Sequence, residues 1–371
     1  MPLDCEHRRV RGPGSCHGGC HALASGAFLY ARVDRPAQVP PPDPRIVDVA
    51  ILDMNRGWPN LGHDALVMAV RTVVCDLAGP LLAAGLRVRA VSWDVRGGLA
   101  IPEAPGPAGG LYIGTGGPGH LDPARNDGVS PGTQGISEDP GWERPLFRLF
   151  DAIRENPEAA LVGVCHTFGV MCRWLGVADP VLRGADKGGK SAGIVENLLT
   201  DEAIAHPWFG NLAADSPMGR RIRVLDSRLY DLVPRPSLAE HVRPLAFETL
   251  GPGGDAGDAI TMWEAERDGS GMPRVFGVNH HPEIVDHHRV LMMLWQKRAR
   301  GEVSHEWYTE RAEAMTTLLR DEDAERRLDL TSGYTLYGPL RYYVHRLAQR
   351  RAESLGGTFE ADDRRMPSPV Y

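Results

Sequence analysis

The sequence predicts an α/β fold with a mostly parallel central sheet and helices on both of its faces, on three observations. Ile46-Val-Asp-Val-Ala-Ile-Leu52 is a near-continuous apolar run, the pattern of a strand covered on both sides. Asp64 to Leu86 then carries helical periodicity, and Leu86-Arg-Val-Arg-Ala-Val-Ser-Trp93 returns to strand character, which implies a right-handed βαβ unit. Leu161-Val-Gly-Val164 reads as a short apolar strand that turns at Cys165 into an apolar-periodic helix through Met171, Trp174 and Leu175.

The totals set the outer limits. A chain of 371 residues with 42% hydrophobic content makes one large domain with appendages or two modest ones. Net charge of -7 argues against nucleic acid or an anionic membrane as the main partner. No apolar run approaches the ~18 residues of a membrane helix, and Arg8, Arg9 and Arg11 are not followed by the apolar core of a secretory signal. Six cysteines at this length do not suggest a disulfide scaffold. A soluble, cytoplasmic protein with no nucleic-acid or membrane partner is the expectation.

From the N-terminus, Cys5, Cys16 and Cys20 are interleaved with His7, His17 and His21. Thiolate and imidazole ligands of that density can hold zinc, but the spacing C-x10-C-H-x2-C-H matches no zinc module. The expectation is a loosely docked extension, and no metal or other cofactor is assigned. Five prolines between Pro36 and Pro44 read as an extended linker, placing a boundary near Arg45. Residues 1–45 are therefore expected to form an extension, 46–296 an α/β domain and 297–371 a helical C-terminal extension.

Asn55, Gly57, Pro59, Asn60 and Gly62 form a loop before the first helix. Leu111-Tyr-Ile113 is a third strand, running into Gly114-Thr-Gly-Gly-Pro-Gly119. This satisfies G-x-G-x-x-G formally, but it does not follow the first strand, and a long Gly/Pro/Asp loop follows it instead of a helix that could hold a pyrophosphate. The turn is either a plain tight turn or a source of unencumbered backbone N–H groups of the kind an oxyanion hole needs. Pro145 to Asn156 reads as a helix with Leu146, Phe147, Leu149, Phe150 and Ile153 on its apolar face. Lys187 to Ser191 is a Gly/Lys loop. Ile194 to Leu199, Ile222 to Leu225, Ala259 to Ala265 and Arg274 to Asn279 are further strands. The last leads into His280-His281-Pro282-Glu283.

The chemistry rests on two of these places. A cysteine at a strand-to-helix elbow has its sulfur exposed at the positive end of a helix dipole, which favours the thiolate; the alternative is a buried structural cysteine. Pro282 forbids a helix across its neighbours and fixes a turn that can aim His281 and Glu283 to one side, where the carboxylate can orient the imidazole. The alternative, a metal cluster of His280, His281, Glu283, His287 and His288, lacks helical HExxH spacing.

Taken together, Gly116-Gly117-Pro118, Gly163-Val-Cys165-His-Thr-Phe-Gly169 and His281-Pro282-Glu283 resemble, in order, the GGP turn, nucleophile elbow and H-P-E motif of the class I (triad-type) glutamine amidotransferase domain. The resemblance spans roughly residues 46 to 296. It implies a flavodoxin-like layering, with Cys165 as nucleophile, His281 as general base and acid, and Glu283 orienting it. Gly117 and His166 N–H groups, beside Gly116, would form the oxyanion hole. It also implies a small-molecule amide substrate, glutamine or a relative, and a separate synthase that takes up the ammonia. The chain departs from the family pattern at Thr167, where the family has Gly, and at Gly169, where it has the Gln that helps hold the substrate. Where the family often carries a His-Ser pair, this chain has Asp226-Ser227-Arg228, in which Asp226 could pair a substrate ammonium and Arg228 a carboxylate, or the two could form a salt bridge. Thr167, Gly169, Asp226, Ser227 and Arg228 are thus the expected substrate contacts. The other readings are a thiol hydrolase or acyltransferase of the same fold on a γ-glutamyl compound, and an idle regulatory or scaffold protein.

Beyond Ile284, a helix through Val290, Leu291, Leu294 and Trp295 would complete the domain. Ser304 to Leu319 and Tyr337 to Leu355 are amphipathic helices, read either as a cap folded back on the domain or as a docking surface for a partner.

Overall fold

The computed structural model describes residues 26–57, 60–184, 189–318 and 322–361. Cys5, Cys16 and Cys20, like Lys187, lie outside the described residues.

The strands in chain order are β1 (Phe28–Val33), β2 (Ile46–Asp53), β3 (Arg87–Asp94), β4 (Gly110–Gly114), β5 (Ala159–Val164), β6 (Ala178–Leu182), β7 (Ser191–Leu199), β8 (Arg221–Arg228), β9 (Tyr230–Pro234), β10 (Arg243–Thr249), β11 (Ala256–Arg267) and β12 (Pro273–Val278). Ten of them form one sheet in the order β1-β3-β2-β4-β5-β12-β11-β10-β7-β8, and β6 pairs with β9 separately. The run from β1 to β12 is parallel, whereas the run from β12 to β8 is antiparallel. The helices are α1 (Leu61–Asp76), α2 (Ala78–Ala83), α3 (Glu143–Glu155), α4 (His166–Leu175), α5 (Asp201–Ile204), α6 (Phe209–Asp215), α7 (Leu238–His241), α8 (His287–Ala299), α9 (His305–Leu318), α10 (Glu322–Ser332) and α11 (Gly338–Ser354).

The alternation of the pleat explains the continuous apolar runs. Val47, Val49 and Ile51 of β2, with Ala160, Val162 and Val164 of β5, face one core, which α1, α2 and α11 cover. Ala50 and Leu52, with Ala159 and Leu161, face the opposite core, covered by α3 and α4. The expected α/β class and the helices on both faces are present.

Three local differences from the sequence reading have physical causes. The helix expected over 64–86 breaks at Leu77, because Pro80 has no N–H to give the Asp76 carbonyl. Residues 28–33, ahead of the expected boundary near Arg45, pair with β3 as an edge strand. That strand is only partly buried, with Tyr30 46% exposed, so it lacks the apolar run that marks its neighbours. β10 also escaped notice, since its pairing with β11 shifts register repeatedly and blurs the period of two.

The C-terminal helices fold back on the sheet. Leu340, Tyr343, Val344, Leu347, Ala348 and Ala352 of α11 lie buried in the same core as α1. Val290 and Leu294 of α8 pack with Leu61 and with Trp307 and Met315 of α9.

Candidate functional site

Three parallel strands lie side by side in the order β4-β5-β12, with Gly114 opposite Gly163 and Val164 opposite Val278. Parallel neighbours end at the same edge, so the loops leaving their carboxyl ends emerge at one rim of the sheet. The turn at residues 115–118, Cys165, and residues 279–283 therefore meet although they are far apart in the chain.

Cys165 occupies a backbone conformation with φ 49° and ψ −102°, a strained one for a non-glycine residue that costs on the order of 1–3 kcal/mol. It is held there by its N–H on the Val278 carbonyl (2.8 Å), while its own carbonyl accepts from Gly169 N–H (3.1 Å). The side chain is thereby thrust out at the N-terminus of α4, the geometry of a nucleophile elbow.

His281 is anchored by its backbone N–H on the Leu225 carbonyl (2.8 Å), and its ring Nδ1 lies 2.8 Å from Glu283 Oε1. Burial opposes a charge on this ring. The Cys165 sulfur and the Glu283 carboxylate, acting as charges and as hydrogen-bond partners, override it and raise the His281 pKa well above its ordinary value. Imidazole, thiol and carboxylate thus form one coupled unit. Glu283 is buried at the N-terminal end of α1, its Oε1 2.8 Å from where a side chain on Gly62 would begin.

Gly116 separates the two reactive groups: a Cβ there would lie 3.0 Å from His281 Cε1 and 3.6 Å from Cys165 Cβ. Gly117 is equally constrained, since a Cβ would come within 2.4 Å of the Met54 carbonyl oxygen. Among the described residues, no backbone carbonyl takes the N–H of Gly117 or of His166, and both residues line the cavity beside Cys165. The His166 ring points inward, fully buried. Burial, with Arg96 and His120 nearby, puts its pKa well below the ordinary value, and the ring reaches the Gly117 backbone.

The turn itself is clamped from below by Arg96, which sequence reasoning missed. Its guanidinium donates to the Met54 (2.8 Å) and Pro118 (2.7 Å) carbonyls and forks onto Glu138 at 2.8 and 2.7 Å, both side chains fully buried. Thr115 adds a second brace, its Oγ1 accepting from Met54 N–H (2.9 Å) and donating to the Gly116 carbonyl (2.7 Å). No local motif signals the links from Arg96 and between Thr115 and Met54, because each joins separate loops.

The cavity in front of Cys165 has a volume of about 570 Å³. Of the five expected substrate contacts, Asp226, Ser227 and Arg228 line it, while Thr167 and Gly169 do not. Thr167 is fully buried. Its Oγ1 donates to the Thr115 carbonyl (2.7 Å) and its methyl packs over Gly114, so it ties α4 to the turn. Gly169 faces Leu121, whose side chain fills the space a longer residue would take, 2.4 Å from a Cβ at that position. Arg228 pairs with Glu248, with Asp231 (3.2 Å) and with Asp226 (3.5 Å), so the salt bridge that the sequence left open as the alternative is present. Asp226 is buried, which raises its pKa against the pull of Arg228, Ser191 and His281. Trp307, Arg311 and Met315 of α9 complete the wall, again unforeseen from the sequence.

The neighbouring histidines divide as their surroundings dictate. Burial takes the His280 pKa down to about 3, and the charge on His281 adds to that. His287 lies buried 3.6 Å from Glu325. Among the described residues no cluster of His, Cys, Asp and Glu is arranged to hold a metal ion, and no helix is long and apolar enough to cross a membrane.

The fold and the rim define the class at the level of architecture: an α/β protein with a cysteine, a histidine and a glutamate joined at the carboxyl ends of adjacent parallel strands. No protein-family model matches the chain, and no curated protein matches it. Among solved structures, the chain is similar to a crystal structure at 2.45 Å of a Thermoplasma acidophilum protein, provisionally named as one subunit of a GMP synthase. Identity is 11% and the TM-score 0.34, over 63% of this chain and 84% of that one. A likeness at that level carries no argument about activity.

Proposed function

We propose that the protein is a glutamine amidotransferase-like amidohydrolase that cleaves a carbon–nitrogen amide bond through a thioester on Cys165. The Cys165 thiolate attacks the amide carbonyl, and the resulting oxyanion lies against the N–H groups of Gly117 and His166. The C–N bond breaks as protonated His281 gives its proton to the departing nitrogen. Water, deprotonated by His281, then attacks the thioester, releasing the acid and restoring the Cys165 thiolate beside protonated His281. Glu283 holds the ring and favours its protonated form between these steps. Ammonia released from glutamine or a related amide would pass to a separate partner enzyme.

The observation that carries this reading is the coupling of His281 to both Cys165 and Glu283, with Gly116 leaving the two reactive groups in contact range. The test is to incubate the purified protein with glutamine and measure glutamate and ammonia, using Cys165→Ala as the control. Turnover that Cys165→Ala retains would end the proposal; turnover that it abolishes supports it.

A further inference from the structure

The cavity is larger and differently furnished than a free amino-acid amide requires. About 570 Å³ falls in the range that encloses drug-sized ligands. Two polar atoms on its wall are buried and without a hydrogen-bond partner among the described residues: Asp226 Oδ1 and Asn279 Nδ2. Asp226 is 2% exposed and Asn279 5%, so solvent does not satisfy them. Asp226 Oδ2 is held by Ser191 Oγ at 2.6 Å and by Arg228 Nε at 3.5 Å, which fixes the carboxylate and leaves Oδ1 as the atom without a hydrogen-bond partner. Buried polar groups of this kind are ordinarily paired, and a substrate with a donor for Asp226 and an acceptor for Asn279 would pair both.

The opposite wall comes from α9. Trp307 and Met315 line the cavity and pack with Leu61, Val290 and Leu294 behind it. The Arg311 guanidinium lies over the Trp307 ring, 4.1 Å from its centroid, and donates to the Trp307 carbonyl (3.3 Å) and to Glu310 (3.1 Å). The indole is thereby held in place where it lines the cavity, and an apolar part of a substrate would pack against it there.

We propose that the site accepts an amide carrying both an ammonium group and a ring-sized apolar body, an elongated substrate in preference to free glutamine. Asp226 Oδ1 accepts from the ammonium, Asn279 Nδ2 donates to an oxygen of the substrate, and Trp307 with Met315 covers the apolar part. This deepens the amidohydrolase reading and rests on Cys165 as its nucleophile.

The test alkylates Cys165 with two probes: 2-chloroacetamide, and a chloroacetamide whose nitrogen carries an aminomethyl-benzyl group. In both, the sulfur–carbon bond forms as chloride leaves, and intact mass with peptide mapping reports the rate at Cys165. The larger, cationic probe is expected to react about tenfold faster, and that ratio is expected to fall toward one in Asp226→Asn and in Trp307→Ala. Met315→Ala replaces Trp307→Ala if thermal melting shows the latter does not fold. A ratio near one in the unaltered protein, or one that survives both variants, overturns the inference and leaves the amidohydrolase reading standing. Failure of 2-chloroacetamide to modify Cys165 in preference to Cys75 and Cys172 strikes at the reading itself, and the inference falls with it.

Discussion

Cys165 and Cys172 stand at the start and in the middle of α4, yet they face opposite chemistry. Cys165 sits in a strained elbow at the sheet rim against a histidine whose charge is stabilised. Cys172 is fully buried, its sulfur accepts from Trp263 Nε1 at 3.1 Å, and burial pushes its thiol up to about 12. The same contrast recurs one residue apart after β12, where His281 is raised well above its ordinary pKa and His280 is lowered to about 3. Rim and interior are built from the same residue types. The difference lies in whether a partner of opposite charge offsets the loss of water.

The largest effect expected from this contrast is on turnover. Cys165→Ala should lower kcat by on the order of 10⁶-fold, whereas Cys172→Ala should leave kcat within a few-fold and lower stability by about 1–3 kcal/mol, since the Trp263 N–H loses its acceptor. Steady-state kinetics and urea unfolding on the two variants would check it, and similar kinetic losses in both would erase the distinction between rim and interior.

A smaller effect sharpens the geometry of the rim. Gly116→Ala pushes a methyl group against His281 Cε1 and should reduce kcat by about 10²-fold through displacement of the ring. The thermal melting point should move little by comparison. A Gly116→Ala protein with undiminished kcat would mean that Cys165 and His281 need not be in contact.

The smallest effect concerns pH. The His280 pKa lies below its unfolded value, so its neutral form contributes stability that is present above about pH 6.5 and lost as pH falls toward 3. Between pH 6.5 and 4 the unfolded chain takes up a proton that the folded His280 refuses, a loss of about 3 kcal/mol. His281 runs the other way: its contribution is full below about pH 6.5 and fades as pH rises through its raised folded value. Replacing His280 by Leu should flatten the acid side of the stability curve, measured by urea midpoints. An unchanged slope would show that His280 is hydrated in the folded protein.

Much of the scaffold was legible because parallel strands buried on both faces are apolar at nearly every position, as in β2 and β5. The half-buried β1 and the register-shifted β10 carry no such signature. The elbow at Cys165 and the turn at Pro282 were legible for a related reason, since a strand-to-helix switch and a proline are local constraints. The roles expected of Thr167, Gly169 and Arg228 rested on matching positions, and neighbours invisible in the linear pattern redirected each of them: Gly114, Leu121 and Glu248.

The sequence by itself determined the strand and helix order and the residue types able to do thiol chemistry, because periodicity and turn chemistry act over a few neighbouring residues. Only the tertiary structure decided that Arg96 clamps the glycine turn, that Trp307 lines the cavity, and that Glu248 takes up Arg228. Those outcomes depend on which strand ends lie side by side and on where burial removes water, and neither is written in any one stretch of the chain.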